Sequence, residues 1–156
     1  MVSIPRNTQP EIIDNDTTEK INQEYAYGGS TMIINFIEEL IDVPIDRYVS
    51  INMDGLQELI DIVGGINMTS NETFTVKGNS YVEDNSCDMD GTEALVFTRS
   101  CYEDGAGGGF GRQERQQLVV QALVEKLISV GSLGRMNSIL GLLGGNVKTN
   151  LTMADL

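Results

Sequence analysis

Residues 47–65 read RYVSINMDGLQELIDIVGG, and two periodicities meet inside them. Over RYVSINM, Tyr48, Ser50 and Asn52 alternate with Val49, Ile51 and Met53, the two-residue period that sends alternate side chains to opposite faces of a strand. From Gly55 the period changes. Leu56, Leu59, Ile60 and Val63 recur at helical spacing, which predicts a short helix with one buried face, and Gly64 suits the left-handed turn that ends it.

Upstream, STMIINFIEELID at 30–42 places Ile33, Phe36, Ile37, Leu40 and Ile41 on one helical face, with Ser30 or Thr31 as its cap. VSIP at 2–5 reads as a short buried strand whose exit presents Arg6, and the polar, Gly-ended residues 7–29 read mostly as loop. Downstream, INMT at 66–69, TFTV at 73–76 and SYV at 80–82 read as short strands between polar turns. DGTE at 90–93 has the form of a capping box and favours a helix over ALVFTR, although Val96, Phe97 and Thr98 also suit a strand. Arg112 to about Val130 is strongly helical, with Leu118, Val119, Ala122, Leu123 and Leu127 in one stripe and Gly131 as its stop. A shorter helix follows over Arg135–Leu143, before Gly144 and Gly145. With no internal repeat and no low-complexity linker, residues 1–156 read as a single α/β domain with helices packed over a mixed sheet.

Ten Lys plus Arg against 23 Asp plus Glu give a net charge of −13. That is the wrong sign for holding a nucleic acid through counterion release. There is no histidine, so imidazole chemistry is excluded. No run of about 18 apolar residues occurs, and MVSIPRNTQP lacks the charged start and apolar stretch of a signal peptide. Cys87 and Cys101 are too far apart for a CxxC pair, which leaves either a disulfide or two free thiols.

The positive charge is unevenly placed. Arg6 leaves the first strand, Arg99 closes an apolar run, and Arg112 and Arg115 open the long helix one turn apart. Arg115 continues the buried stripe of that helix rather than its wet side. Directly before them, residues 105–111 read GAGGGFG. A glycine-rich segment running into a helix N-terminus offers unpaired N–H groups and the positive end of the helix dipole to an anion, and arginine adds two-pronged hydrogen bonding to phosphate oxygens. The plainer alternative is a mobile loop, with Arg112 and Arg115 pairing Glu103, Asp104 or Glu114 at the surface. A nucleotide P-loop is excluded, because its lysine and hydroxyl are absent.

SIPRNT at 3–8, KINQEYAYGG at 20–29, DRYVSINMDGLQELIDIVGGI at 46–66, DGTEALVFTR at 90–99 and GRQERQQ at 111–117 together resemble the LytR-CpsA-Psr family, in family order. VKTNLT at 147–152 is similar to the segment near the end of the family domain. The resemblance implies a three-layer α-β-α sandwich with a mixed central sheet. It also implies a bacterial cell-envelope phosphotransferase, held outside the membrane by an N-terminal anchor that this chain lacks. Such proteins move an anionic glycopolymer, teichoic acid or capsular polysaccharide, from an undecaprenyl-pyrophosphate carrier to peptidoglycan. The family's pyrophosphate-binding positions fall on Arg6, Arg99, Arg112 and Gln116, with Arg115 and Asp104 in support. Magnesium bridges the pyrophosphate in the family, and the lipid tail lies in an apolar tunnel.

The chain departs from the family pattern at several points. After Arg99 the usual second arginine of R-x-R is replaced, the run being Arg99, Ser100, Cys101; Gly109 stands where an aspartate is usual; and Asn7 replaces another. Further strands before SIPR, with the magnesium aspartates, and the usual last helix are missing, so the chain reads as truncated at both ends. Asp14, Asp16, Asp61 and Asp104 remain as possible metal ligands, none assigned. These losses support an alternative reading, a non-catalytic module that binds polyprenyl pyrophosphate or cell-wall polymer. A transcriptional role, an older label for the family, is opposed by the net charge. An extracytoplasmic setting favours a Cys87–Cys101 disulfide that would pin the segment carrying Arg99.

Overall fold

The computed structural model describes residue 4, residues 21–129 and residues 136–152. Apart from Ile4, the strand expected at 2–5 lies outside the described residues, as do Arg6, Asp14, Asp16, Gly131 and Arg135. The chain forms two compact units, one built on Ile51–Lys148 and the other on residues up to Ser50 with Thr149–Leu151.

The larger unit starts where the two periodicities meet. Strand β1 covers only Val49–Ile51, because Asn52 is the N-cap of helix α2, Met53–Ile62, its side chain accepting from Gly55 N at 2.8 Å. The alternation expected through Met53 is therefore cut short by capping chemistry. Leu56, Leu59, Ile60 and Val63 are all buried, as their spacing predicts, and Gly64 takes a left-handed φ of 81°. Strand β2, Ile66–Thr69, turns Ile66 and Met68 into the core and pairs antiparallel with β5, Ser86–Met89, in the register Ile66↔Met89 to Thr69↔Ser86. Between them β3, Phe74–Val76, and β4, Asn79–Tyr81, form a hairpin whose turn residues Lys77 and Gly78 both have positive φ, the conformation of a type I′ turn.

Helix α3, Gly91–Arg99, settles the ambiguity between helix and strand. Its capping box is fully formed: Glu93 N donates to Asp90 Oδ1 at 2.8 Å, and Asp90 N donates to Glu93 Oε2 at 3.2 Å. Gly91 is required there, since a Cβ would fall 2.3 Å from Gln57 O on α2. Helix α4 covers Gly108–Ser129 and helix α5 covers Met136–Leu143; a single 3-10 turn then leads into β6, Val147–Thr149. The expected stripe on α4 is inward at Val119, Ala122, Leu123 and Leu127, with Leu118 half-buried. Phe74, Tyr81 and Phe97 form an aromatic cluster at the centre of this core, with ring centroids 4.9 to 5.8 Å apart.

The chain is thus a mixed helix-and-strand protein, as expected. Among the described residues the strands pair two by two, β1 with β6, β2 with β5 and β3 with β4. They are three or four residues long. No helix among these residues is long and apolar enough to cross a membrane.

In the smaller unit helix α1 runs from Ile21 to Ile41, so residues 21–28 are helical where the sequence suggested loop. Gly29, with φ 65° and ψ −153°, is a kink between two helical stretches rather than the end of a loop. Phe36 is buried as expected, but Leu40 and Ile41 are exposed. Asn150 then plays both roles of a strand partner, accepting from Tyr48 N at 2.8 Å and donating to Asp46 O at 2.9 Å.

Replacing Asp90 by Ala removes the cap of α3. The expected cost is about 1 kcal/mol, a fall in melting temperature of about 2–4 °C by thermal denaturation.

Candidate anion-binding site

The glycine stretch is close-packed at Gly105, Gly107 and Gly111 and open at Gly108 and Gly109. Helix α4 begins at Gly108, one turn earlier than its apolar stripe suggested, and its first turn contains no acidic residue. Gly105 has φ 84°, and a Cβ there would lie 2.2 Å from Thr73 O; a Cβ on Gly111 would lie 2.3 Å from Ala106 O. Ala106 is fully buried, its N–H donating to Glu103 O at 3.0 Å. Residues 70–73 clamp this turn from the other side: Glu72 Oε1 lies against Gly107, and Asn71 Nδ2 donates to Glu114 Oε2 at 2.9 Å. At Gly105, Gly107 and Gly111 close contact, rather than freedom, accounts for the glycine. Glycine is needed because backbone meets backbone at distances a side chain would prevent.

The second constraint is Arg115, which has 0% exposure. Its Nε donates to Phe97 O at 3.2 Å, and its Nη2 donates to Ser100 O at 2.6 Å and to Ala106 O at 2.8 Å. The guanidinium also lies 4.8 Å from the centre of the Phe74 ring and 5.7 Å from that of Phe97. Burial pushes its pKa down, opposed by the charges of Glu72, Glu103 and Glu114. Sequence reasoning turned Arg115 inward correctly and offered Asp104 as one possible partner, beside a role in packing. Asp104 is exposed, and the partners of Arg115 are carbonyls at the C-terminal end of α3 and in the glycine turn, where helix carbonyls have no intrahelical donor.

Arg112 and Gln116 are half-buried and share one face of α4 on successive turns. Arg99 is exposed in the last turn of α3. The residue after it, Ser100, is the one Arg115 holds. Arg6 lies outside the described residues. Ser100 and Cys101, where a second arginine was expected, are buried. The polar turn at 70–73 went unrecognised as part of this region, because its contacts join residues distant in sequence and leave no periodic signal.

The disulfide is also corrected: Cys87 and Cys101 are free thiols. Each is fixed by its own neighbourhood. Cys87 sits opposite Met68 on β5, its Sγ donating to Asn85 O at 3.6 Å, and burial raises its pKa. The N–H of buried Cys101 donates to Glu103 Oε2 at 2.8 Å. Pinning the segment after Arg99, the task expected of a bridge, falls to Arg115.

Of the possible metal ligands, Asp61 accepts from Gly91 N at 2.7 Å and Asp104 faces solvent. Among the described residues no three acidic, histidine or cysteine side chains are grouped to hold a metal ion. These residues do not fit a protein-held magnesium. A cavity of about 490 Å³ in the same unit is lined by Asp61, Asp88, Asp90 and Glu93 against the single cation Lys126, the wrong sign for a phosphate.

A close-packed glycine turn, a helix start free of acid, and a guanidinium with an amide one turn beyond it stand together in one unit of a mixed helix-and-strand chain. Over residues 1–156 the chain matches the LytR_cpsA_psr family, and it belongs to that family. It is 38% identical over 156 residues to the polyisoprenyl-teichoic acid–peptidoglycan teichoic acid transferase TagU of Bacillus subtilis (strain 168), covering all of this chain and 50% of the relative. The relative of the same name from Bacillus cereus (strain AH820) is 41% identical over 151 residues, 97% of this chain and 49% of its own length. The chain thus spans about half the length of the curated relatives it matches. The crystal structure of B. subtilis TagU superposes with a TM-score of 0.80 at 38% identity, covering 97% of this chain and 65% of that one.

Backbone N–H groups of Glu103 itself, then that of Cys101, hold the Glu103 carboxyl below the usual carboxylate range. A lowered pKa stabilises the fold above the ordinary value of 4.5, and that stability is lost as pH falls through the folded-state value. Urea melts of wild type and Glu103→Gln should therefore differ at neutral pH, with wild type more stable, and converge in acid.

Proposed function

We propose that the protein transfers an anionic glycopolymer of the teichoic-acid or capsular type from a polyprenyl-pyrophosphate carrier to peptidoglycan, on the outer side of the bacterial membrane. The observation that carries the reading is the start of α4. Helix N-termini favour acidic residues and disfavour arginine by about 0.3–1 kcal/mol. Here the first turn has no acid, and Arg112 follows it directly. A multiply charged anion reverses that cost.

In this reading Arg112 and Arg99 hold oxygens of the pyrophosphate by paired N–H donors, and Gln116 fixes their orientation. A sugar hydroxyl of peptidoglycan attacks the phosphorus nearer the glycan. Its P–O bond to the lipid phosphate breaks, and the lipid phosphate leaves with the electron pair and takes up the proton given up by the attacking hydroxyl. Negative charge grows on the equatorial and leaving oxygens, where fixed guanidinium groups stabilise it most. Magnesium, which the family resemblance brings with it, is assigned no ligand and no step.

The buried Ser100 and Cys101 favour a second reading. Only one arginine, Arg99, leaves the end of α3, which suits a module that binds the lipid pyrophosphate without turning it over. Release of lipid phosphate in the presence of a peptidoglycan acceptor separates the two.

Arg112→Ala should weaken binding of undecaprenyl pyrophosphate at least about tenfold, the loss of one charge-assisted contact. The melting temperature should stay within about 2 °C, since Arg112 is only half-buried. Unchanged affinity in calorimetry would remove the site.

A further inference from the structure

We infer that Arg115 is a positioning residue, one that fixes the separation between Arg99 and Arg112 and so selects two linked phosphates over one. The inference rests on the pyrophosphate reading above and adds a determinant of its selectivity.

The covalent path from Arg99 to Arg112 is long, and its chain bonds alone do not fix a distance. It runs through residues 100–111, in which Gly105, Gly107 and Gly108 all have positive φ. The path through Arg115 is short. Its guanidinium takes Phe97 O and Ser100 O, which flank Arg99, and Ala106 O of the glycine turn, while its own backbone lies one turn beyond Arg112 on α4. One planar group thereby joins three segments. Lysine presents a single nitrogen and cannot reproduce that fork. The ring contacts with Phe74 and Phe97 hold the plane of the guanidinium, so its donors are aimed before any ligand arrives. Gly111 closes the arrangement, for a Cβ there would meet Ala106 O at 2.3 Å and Arg115 Nη1 at 3.1 Å.

A single phosphate is satisfied by either arginine alone. A pyrophosphate spans both, and gains from both only when their spacing is set in advance. Selectivity is therefore the signature of positioning, and general loosening of the fold does not produce it.

The test uses the whole 156-residue chain, with farnesyl pyrophosphate and farnesyl monophosphate as probes, titrated calorimetrically below the melting temperature of each variant. Arg115→Lys keeps the charge and removes the fork; Gly111→Ala keeps Arg115 and wedges a methyl group against it. In each variant the pyrophosphate should bind about tenfold more weakly and the monophosphate within about twofold of wild type, the pattern of lost pre-organisation. Equal losses for the two probes, or no loss, overturn the inference. If wild type itself shows no preference for pyrophosphate, the pyrophosphate reading fails and the selectivity claim falls with it. The spacing role is then read without ligand from hydrogen exchange of the Ser100, Ala106 and Gly111 amides, which donate to Val96 O, Glu103 O and Gly107 O. Faster exchange confined to these amides in Arg115→Lys supports that role, and unchanged exchange overturns it.

Discussion

A guanidinium without water is the constraint around which the larger unit is arranged. Burying a charge costs several kcal/mol unless it is matched by fixed dipoles. Arg115 offsets part of that cost with three backbone carbonyls and two aromatic faces rather than with a carboxylate, while its buried Nη1 has no hydrogen-bond partner. Two of the carbonyls belong to the last turn and cap of α3, the negative pole of that helix. An apolar residue of the same volume would fill the space but would leave those carbonyls unpaired. The end of α3, the glycine turn and the start of α4 therefore have one arrangement that satisfies them together.

Much of the fold was legible because its signals are local. The capping box at Asp90 and Glu93, the spacing of Leu56 to Val63 and the apolar stripe of α4 each depend on residues within a few positions of one another. What escaped has the opposite character. Strand β5, SCDM, was not recognised because its alternation is short and weak: between exposed Ser86 and Asp88, Cys87 is only half-buried against the core and Met89 alone is fully buried. Helix α1 starts before Gly29 because a glycine that normally ends a helix here only bends it. In the candidate site, Arg115 was seen to face inward, since periodicity gives direction; its partners were not, since three carbonyls from two other segments carry no sequence signature.

The same distinction explains the reading of GAGGGFG. Glycine in sequence means either freedom or closeness, and composition alone does not separate them. At Gly105 and Gly111 the neighbouring carbonyls stand closer than any side chain permits. The turn is tight because the clamp is tight. Residues 70–73 press it from one side and Arg115 holds it from the other, which leaves the first turn of α4 presented on a fixed backbone.

A chain of net charge −13 binding a pyrophosphate poses an electrostatic problem. The long-range field repels the ligand, although at physiological salt this reach falls to about 8 Å. Attraction must therefore come from contact distance, where the geometry of a few donors outweighs the sum of distant charges. Short-range recognition of this kind tolerates no play between Arg99 and Arg112. An acidic protein that holds an anion needs its cations fixed more firmly than a basic one would, because no surrounding field corrects a misplaced donor. The rigidity supplied by Arg115 and the overall charge are thus two sides of one requirement.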